Sequence, residues 1–168
     1  LPLRDPILRE MELYAERNKF PIIGPQVGRF LFQLCKLTHP KTIFEMGSGF
    51  GYSAYWFCKG APQAKIMLTD HQQQNLDLAR AWLSRAGLLH QVVMKKGIAQ
   101  EILSNSNQMY DIIFVDVDKE EYPDILPLIV NRLSLGGLLL TDNVLWYGRV
   151  VEDNSTDKAT ASVKTFNK

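Results

Sequence analysis

The stretch Ile43-Phe44-Glu45-Met46-Gly47-Ser48-Gly49-Phe50-Gly51-Tyr52-Ser53-Ala54 constrains this chain more than any other. An apolar run passes through one acid into three glycines at alternate positions. Side chains then resume at helical spacing, with Tyr52, Trp56 and Lys59 on one line and Tyr55 and Cys58 beside it. That order predicts a strand, a tight turn and a helix. Glycines lack a Cβ, so the backbone can turn at positive φ and come close to a ligand. The helix that follows aims unpaired N–H groups at whatever occupies the turn. A dinucleotide fingerprint would read G-x-G-x-x-G. Here the third glycine comes one residue early and Tyr52 stands in its place, giving acid-x-G-x-G-x-G. A glycine-rich turn that binds nothing is the alternative reading at this point.

The rest of the chain supplies a frame for that turn. Asp5-Pro6 suits a helix start, Asp as cap and Pro in the first turn, with Ile7, Leu8, Met11 and Tyr14 on one apolar face to about residue 18. Phe20 to Pro25 reads as a loop, and a second helix spans 26–38, stopped by His39-Pro40. From Lys41 the rhythm alternates. Strands are expected at 42–46, 65–69, 91–95, 110–115 and 136–141, and helices at 52–60, 73–86, 98–104 and 122–132, the last kinked or starting late because of Pro127. Gly87 suits the end of the helix at 73–86. Strands alternating with helices predict a doubly wound parallel sheet in an α/β domain spanning 1–168, with the core at 41–141. Residues 142–157 read as a long substrate-side loop, and 157–167 can begin another helix.

Composition narrows the classes. A length of 168 residues suits one domain, and a net charge of +1 argues for neither a nucleic-acid nor a membrane surface. No run is apolar enough for a membrane span, and the first residues do not read as a signal peptide. Cys35 and Cys58 fall in apolar helical stretches, so buried thiols in a reducing, cytoplasmic setting are expected.

In doubly wound sheets, ligands bind beyond the carboxyl ends of the strands. There the first strand gives Glu45 and the glycines, the second Asp70, the third Gly97-Ile98-Ala99, the fourth Asp116, Asp118 and Lys119, and the fifth Asp142 and Asn143. Each acid taken singly also suits a turn or a helix cap. Asp70 stands where an acid can hold ribose hydroxyls. Asp116, Asp142 and Asn143 offer only oxygen, with no His or Cys beside them. Such a set favours a hard cation, Mg²⁺, Mn²⁺ or Ca²⁺, over zinc. Lys119 also reads as a solvated lysine pairing with Glu120 or Glu121.

Three segments then carry a resemblance: Phe44 to Ala54, Phe114 to Tyr122 with its Asp-x-Asp-Lys, and Gly136-Gly137 through Asp142-Asn143-Val144-Leu145-Trp146 to Val150. They resemble the cation-dependent O-methyltransferases, the caffeoyl-coenzyme A and catechol enzymes with their bacterial relatives. The resemblance spans nearly the whole chain. It implies a class I S-adenosylmethionine (SAM) methyltransferase fold, Rossmann-like and doubly wound. It implies methyl transfer to a hydroxyl of a catechol-like or vicinal-diol small molecule. It carries SAM contacts onto Glu45, Gly47, Ser53, Asp70, Ala99 and Asp116, and metal ligands onto Asp116, Asp142 and Asn143. Lys119 corresponds to the proposed general base, and Trp146 and Tyr147 to substrate wall. A homodimer is implied as well. Some relatives resemble tRNA-modifying enzymes, so a hydroxylated tRNA base is an alternative substrate, and a non-catalytic SAM-binding module a third reading. The family continues past this point with a helix and two further strands that are lacking here. An exposed apolar edge at 136–141 is therefore expected, with more chain or a partner to cover it.

Overall fold

The computed structural model describes residues 5–152 and 157–168. Five parallel strands, β1 (Thr42–Met46), β2 (Lys65–Asp70), β3 (Val92–Lys96), β4 (Tyr110–Val115) and β5 (Leu133–Thr141), stand in the order β3-β2-β1-β4-β5. The helices are α1 (Pro6–Asn18), α2 (Gly24–Thr38), α3 (Tyr52–Gly60), α4 (Gln73–Arg85), α5 (Ala99–Ser104), α6 (Tyr122–Val130) and α7 (Lys158–Phe166).

Strand side chains alternate between two cores, as a twofold repeat requires. Ile43, Ile66, Leu68, Ile112 and Phe114 face the first, packed with α1, α2, α3 and α4. Phe44, Met46, Ile113 and Val115 face the second, packed with Leu103 of α5, Ile125 and Ile129 of α6 and Val163 of α7. Helices thus cover both faces of the sheet, as expected of a doubly wound domain. Each fully buried Leu, Ile or Phe contributes about 1.5–3 kcal/mol relative to exposure.

The helix ends follow local chemistry. Asp5 caps α1, its Oδ1 accepting the Ile7 N–H at 3.0 Å, and its Oδ2 accepts the Tyr55 hydroxyl at 2.7 Å, which pins α1 to α3. Gly87, at φ +69°, closes α4. Cys35 and Cys58 are buried free thiols, as expected.

Several boundaries depart from the sequence reading. Helix α2 begins at Gly24, two residues early, because Pro25 occupies its first turn. Strand β3 runs one residue later than expected, since Leu89–Gln91 forms a 3₁₀ turn. Helix α6 runs unbroken through Pro127 rather than starting late. Strand β5 begins at Leu133, not 136. Its pairing jumps from Tyr110–Leu133 to Ile112–Leu138, and Gly136 at φ +77° provides the bulge. The loop after β5 is also partly structured: 3₁₀ turns occupy Trp146–Val151, and the rest of its expected span includes 153–156, outside the described residues. Strand β5 is an edge of the sheet, and Leu135 in its bulge is fully exposed. Among the described residues, no helix is long and apolar enough to cross a membrane.

Candidate active site

All five strands are parallel, so their carboxyl ends share one edge, and the loops there form the site. The turn after β1 holds Gly47, Gly49 and Gly51 at φ +81°, +50° and +87°. Each also admits a close neighbour. A Cβ on Gly47 would lie 2.2 Å from the Asp116 carbonyl oxygen, one on Gly49 3.0 Å from the Phe20 ring, and one on Gly51 3.0 Å from the Ala79 Cβ. The glycines therefore let the turn nest between the end of β4, the loop after α1, and α4.

Hydrogen bonds lock this turn to the end of β2. The Ser48 N–H donates to the Thr69 carbonyl at 2.9 Å, and the Thr69 N–H returns to Ser48 Oγ at 3.1 Å. Asp70 accepts from the Gly49 N–H at 3.0 Å, the Gln72 N–H at 2.8 Å and the Asn75 amide. It thus braces the turn as well as bordering the crevice.

Glu45 departs from the sequence reading. It is fully buried and does not line the crevice; both carboxylate oxygens lack a hydrogen-bond partner. The Glu45 pKa is pushed up to about 7, chiefly by burial, with the nearby Ser53 and Ser48 hydroxyls pulling the other way and Asp116 and Asp70 adding repulsion. Strand alternation aims Glu45 at the α3 side, and the first turn of α3 covers it.

The ends of β4 and β5 build the other half of the site. Val115 and Thr141 are paired, and the Asp142 N–H donates to the Val115 carbonyl at 3.0 Å, so Asp116 and Asp142 emerge side by side. The Asp116 carboxyl is held above the usual range by burial, offset by the Lys119 ammonium and reinforced by repulsion from Asp142. Lys119 does not pair with Glu120 or Glu121. Its side chain is nearly buried, and Nζ donates to Asp116 Oδ1 at 3.1 Å and to the Val117 carbonyl at 3.0 Å. Glu120 pairs with Lys158 instead, and Glu121 accepts from the Gln100 amide.

Asn143, Trp146 and Tyr147 all adopt left-handed backbone, at φ +57°, +41° and +55°. Such strain in non-glycine residues clusters at functional loops. Trp146 Nε1 donates to Asp157 at 3.3 Å, the same carboxylate that caps α7, so the loop after β5 is tied to that helix.

One crevice of about 1300 Å³ gathers Gly47, Ser53, Asp70, Ala99, Asp116, Lys119, Asp142, Asn143, Trp146 and Tyr147, but not Glu45 or Gly51. It also gathers residues that the sequence reading missed. Phe20 to Ile23 form a wall over the glycine turn, where the apolar bulk of that loop was the available signal. Gln100, beside Ala99, and Asn75, five residues after Asp70, carried no spacing signal of their own. A smaller cavity of about 310 Å³, lined by Ser104, Leu128, Asn131 and Arg132, includes none of these residues.

A five-stranded parallel sheet with a glycine turn after β1 and an acid after β2 matches the class I SAM methyltransferase fold. Comparison agrees. Residues 4–168 match the family model described as O-methyltransferase. The chain is 31% identical over 150 residues to a catechol O-methyltransferase from Niastella koreensis, covering 86% of this chain and 68% of that protein. It is 34% identical over 131 residues to caffeoyl-CoA O-methyltransferase 2 from Petunia hybrida, covering 74% of this chain and 54% of that protein. The chain thus spans about half the length of the plant relative. An O-methyltransferase from Bacillus cereus, solved in complex with SAH, superposes with a TM-score of 0.90 at 25% identity, covering 99% of this chain and 79% of that one. The chain belongs to the O-methyltransferase family, a group of SAM-dependent enzymes.

Proposed function

We propose that this chain transfers a methyl group from SAM to a hydroxyl of a catechol-like or vicinal-diol small molecule, with a divalent cation as partner. The observation that carries this reading is the adjacency of Asp116 to Asp142-Asn143, with Lys119 on Asp116, in the crevice that also holds the glycine turn.

The donor chemistry fits a hard cation. Among the described residues, no three His, Cys, Asp or Glu side chains cluster as a metal site. The set is instead two carboxylates and one amide, all oxygen, as Mg²⁺, Mn²⁺ and Ca²⁺ prefer. Repulsion between Asp116 and Asp142 is the electrostatic state that a bound cation relieves. Such a cation lowers the pKa of a coordinated hydroxyl, as it does for water, and SAM brings the electrophilic methyl group.

The chain's own residues supply alignment and proton transfer. Asp70 takes the ribose hydroxyls, while Gly47, Ser53 and Ala99 leave room for the rest of the cofactor. Lys119, in its neutral amine form, accepts the substrate proton at Nζ and becomes the ammonium that Asp116 and the Val117 carbonyl hold. Trp146 and Tyr147 wall the substrate, and Phe20 to Ile23 shield the cofactor side from water. Glu45 acts from behind the turn. The reading also keeps a homodimer, and a reducing, cytoplasmic setting suggested by the two buried thiols.

The small-molecule reading is favoured over a tRNA base by the charge of the crevice. Among its described lining residues, six carboxylates stand against one lysine, Lys119. That balance repels a phosphate backbone. The test is methyl transfer to a catechol with and without EDTA, alongside Asp142→Ala. Loss of product in both arms is expected, and full activity in EDTA removes the cation from the mechanism. SAH binding without turnover on any diol leaves a non-catalytic module.

A further inference from the structure

We propose that Tyr122 is a positioning residue that sets the separation between the lysine and the paired oxygen ligands. The proposal rests on the cation-dependent reading above. Tyr122 opens α6, is fully buried and lies behind the crevice rather than in its lining. Three contacts fix it. Its ring face lies 5.0 Å from the Lys119 ammonium. Its hydroxyl donates to the Asp142 carbonyl at 2.9 Å. Its ring meets that of Phe166 of α7 edge to face, with ring centroids 5.2 Å apart.

The second contact acts on the peptide that joins Asp142 to Asn143. That peptide is held at both ends: its carbonyl by Tyr122, and its N–H by Asp142 Oδ1 at 2.9 Å. Asn143 follows in a left-handed conformation, which asparagine adopts more readily than other L residues. With the peptide plane fixed, Asp142 and Asn143 are both aimed before any ligand arrives. Without the hydroxyl, the carbonyl loses its partner, the plane can rotate, and both donors lose their aim. The first contact does the same for Lys119, since a cation over an aromatic face is held most firmly where water is scarce. One rigid ring therefore references two functional groups to each other.

The probe is Mn²⁺ alone, bound to the full chain with SAH present and followed by electron paramagnetic resonance. Tyr122→Phe keeps the ring and removes only the hydroxyl. Its Mn²⁺ dissociation constant is expected to rise about tenfold, the lower end of the range for outer-shell partners, while SAH affinity stays at the wild-type value. Tyr122→Leu removes the ring face as well. Its turnover at saturating Mn²⁺ is expected to fall below that of the phenylalanine variant. Wild-type Mn²⁺ affinity in Tyr122→Phe overturns the proposal, and so does an equal loss of SAH and Mn²⁺ affinity, which marks general loosening. Wild-type protein that binds no Mn²⁺ removes the cation reading itself, and this proposal with it.

Discussion

The Asp70 carboxylate accepts the Gly49 N–H at 3.0 Å and so ties the end of β2 to a turn 21 residues earlier in the chain. Asp70→Ala leaves the Gly49 and Gln72 N–H groups without that partner, at a cost of about 1–3 kcal/mol. Asp70→Asn keeps one acceptor oxygen and is expected to lose less. Denaturant titration gives the stability, and calorimetry with SAH gives the affinity. An alanine variant indistinguishable from wild type in both would show that Asp70 does neither job.

Glu45 predicts a pH dependence of stability. Its folded pKa is pushed up to about 7 from an ordinary value of 4.5, chiefly by burial. Below pH 4.5 both folded and unfolded states are protonated there, and the residue contributes no difference. Between pH 4.5 and 7 the folded state holds a proton that the unfolded state has released, so stability falls as pH rises. The loss is on the order of 3 kcal/mol and levels off above pH 7. Unfolding measurements across that window on cofactor-free protein should show the decline, and Glu45→Gln should flatten it. An identical slope in the variant assigns the decline elsewhere.

Two glycines with similar backbone should respond differently to a methyl group. Gly87 sits at φ +69° with open space where a Cβ would go, so Gly87→Ala carries only conformational strain, about 1–2 kcal/mol. Gly47 at φ +81° adds a clash with backbone, the Asp116 carbonyl at 2.2 Å, which cannot swing aside. Gly47→Ala is expected to cost more than about 4 kcal/mol. Chemical denaturation of the pair checks the ranking, and equal losses would mean that the β1 turn has room to spare.

Lys119→Met removes the proposed proton acceptor and the Nζ that donates to Asp116. Turnover is expected to drop about 10²–10⁴-fold, in the range for general base catalysis. SAH affinity should persist, because the glycine turn and Asp70 are untouched. Lys119→Arg should not restore turnover, since a guanidinium does not give up its proton. Recovery with arginine would recast Lys119 as a fixed charge.

Much of the architecture was legible because its causes are local. Short apolar runs marked β1 and β4, and Asp5-Pro6, Pro40 and Gly87 marked helix ends. The bulge in β5 was hidden, because Gly136-Gly137 reads equally well as a boundary. So was the fate of Glu45. Its position in the strand was clear, but the helix turn that covers it belongs to the assembled fold.

The sequence by itself determined a strand-turn-helix opening, an alternating α/β order and which oxygen-bearing residues follow which strand. Periodicity and backbone sterics act over a few residues, so they can be read along the chain. Only the tertiary structure decided that Val115 pairs with Thr141, that Lys119 turns to Asp116 rather than to its neighbouring glutamates, and that Tyr122 reaches the Asp142 carbonyl. Those outcomes depend on strand register and helix docking, which bring together residues that no local pattern connects.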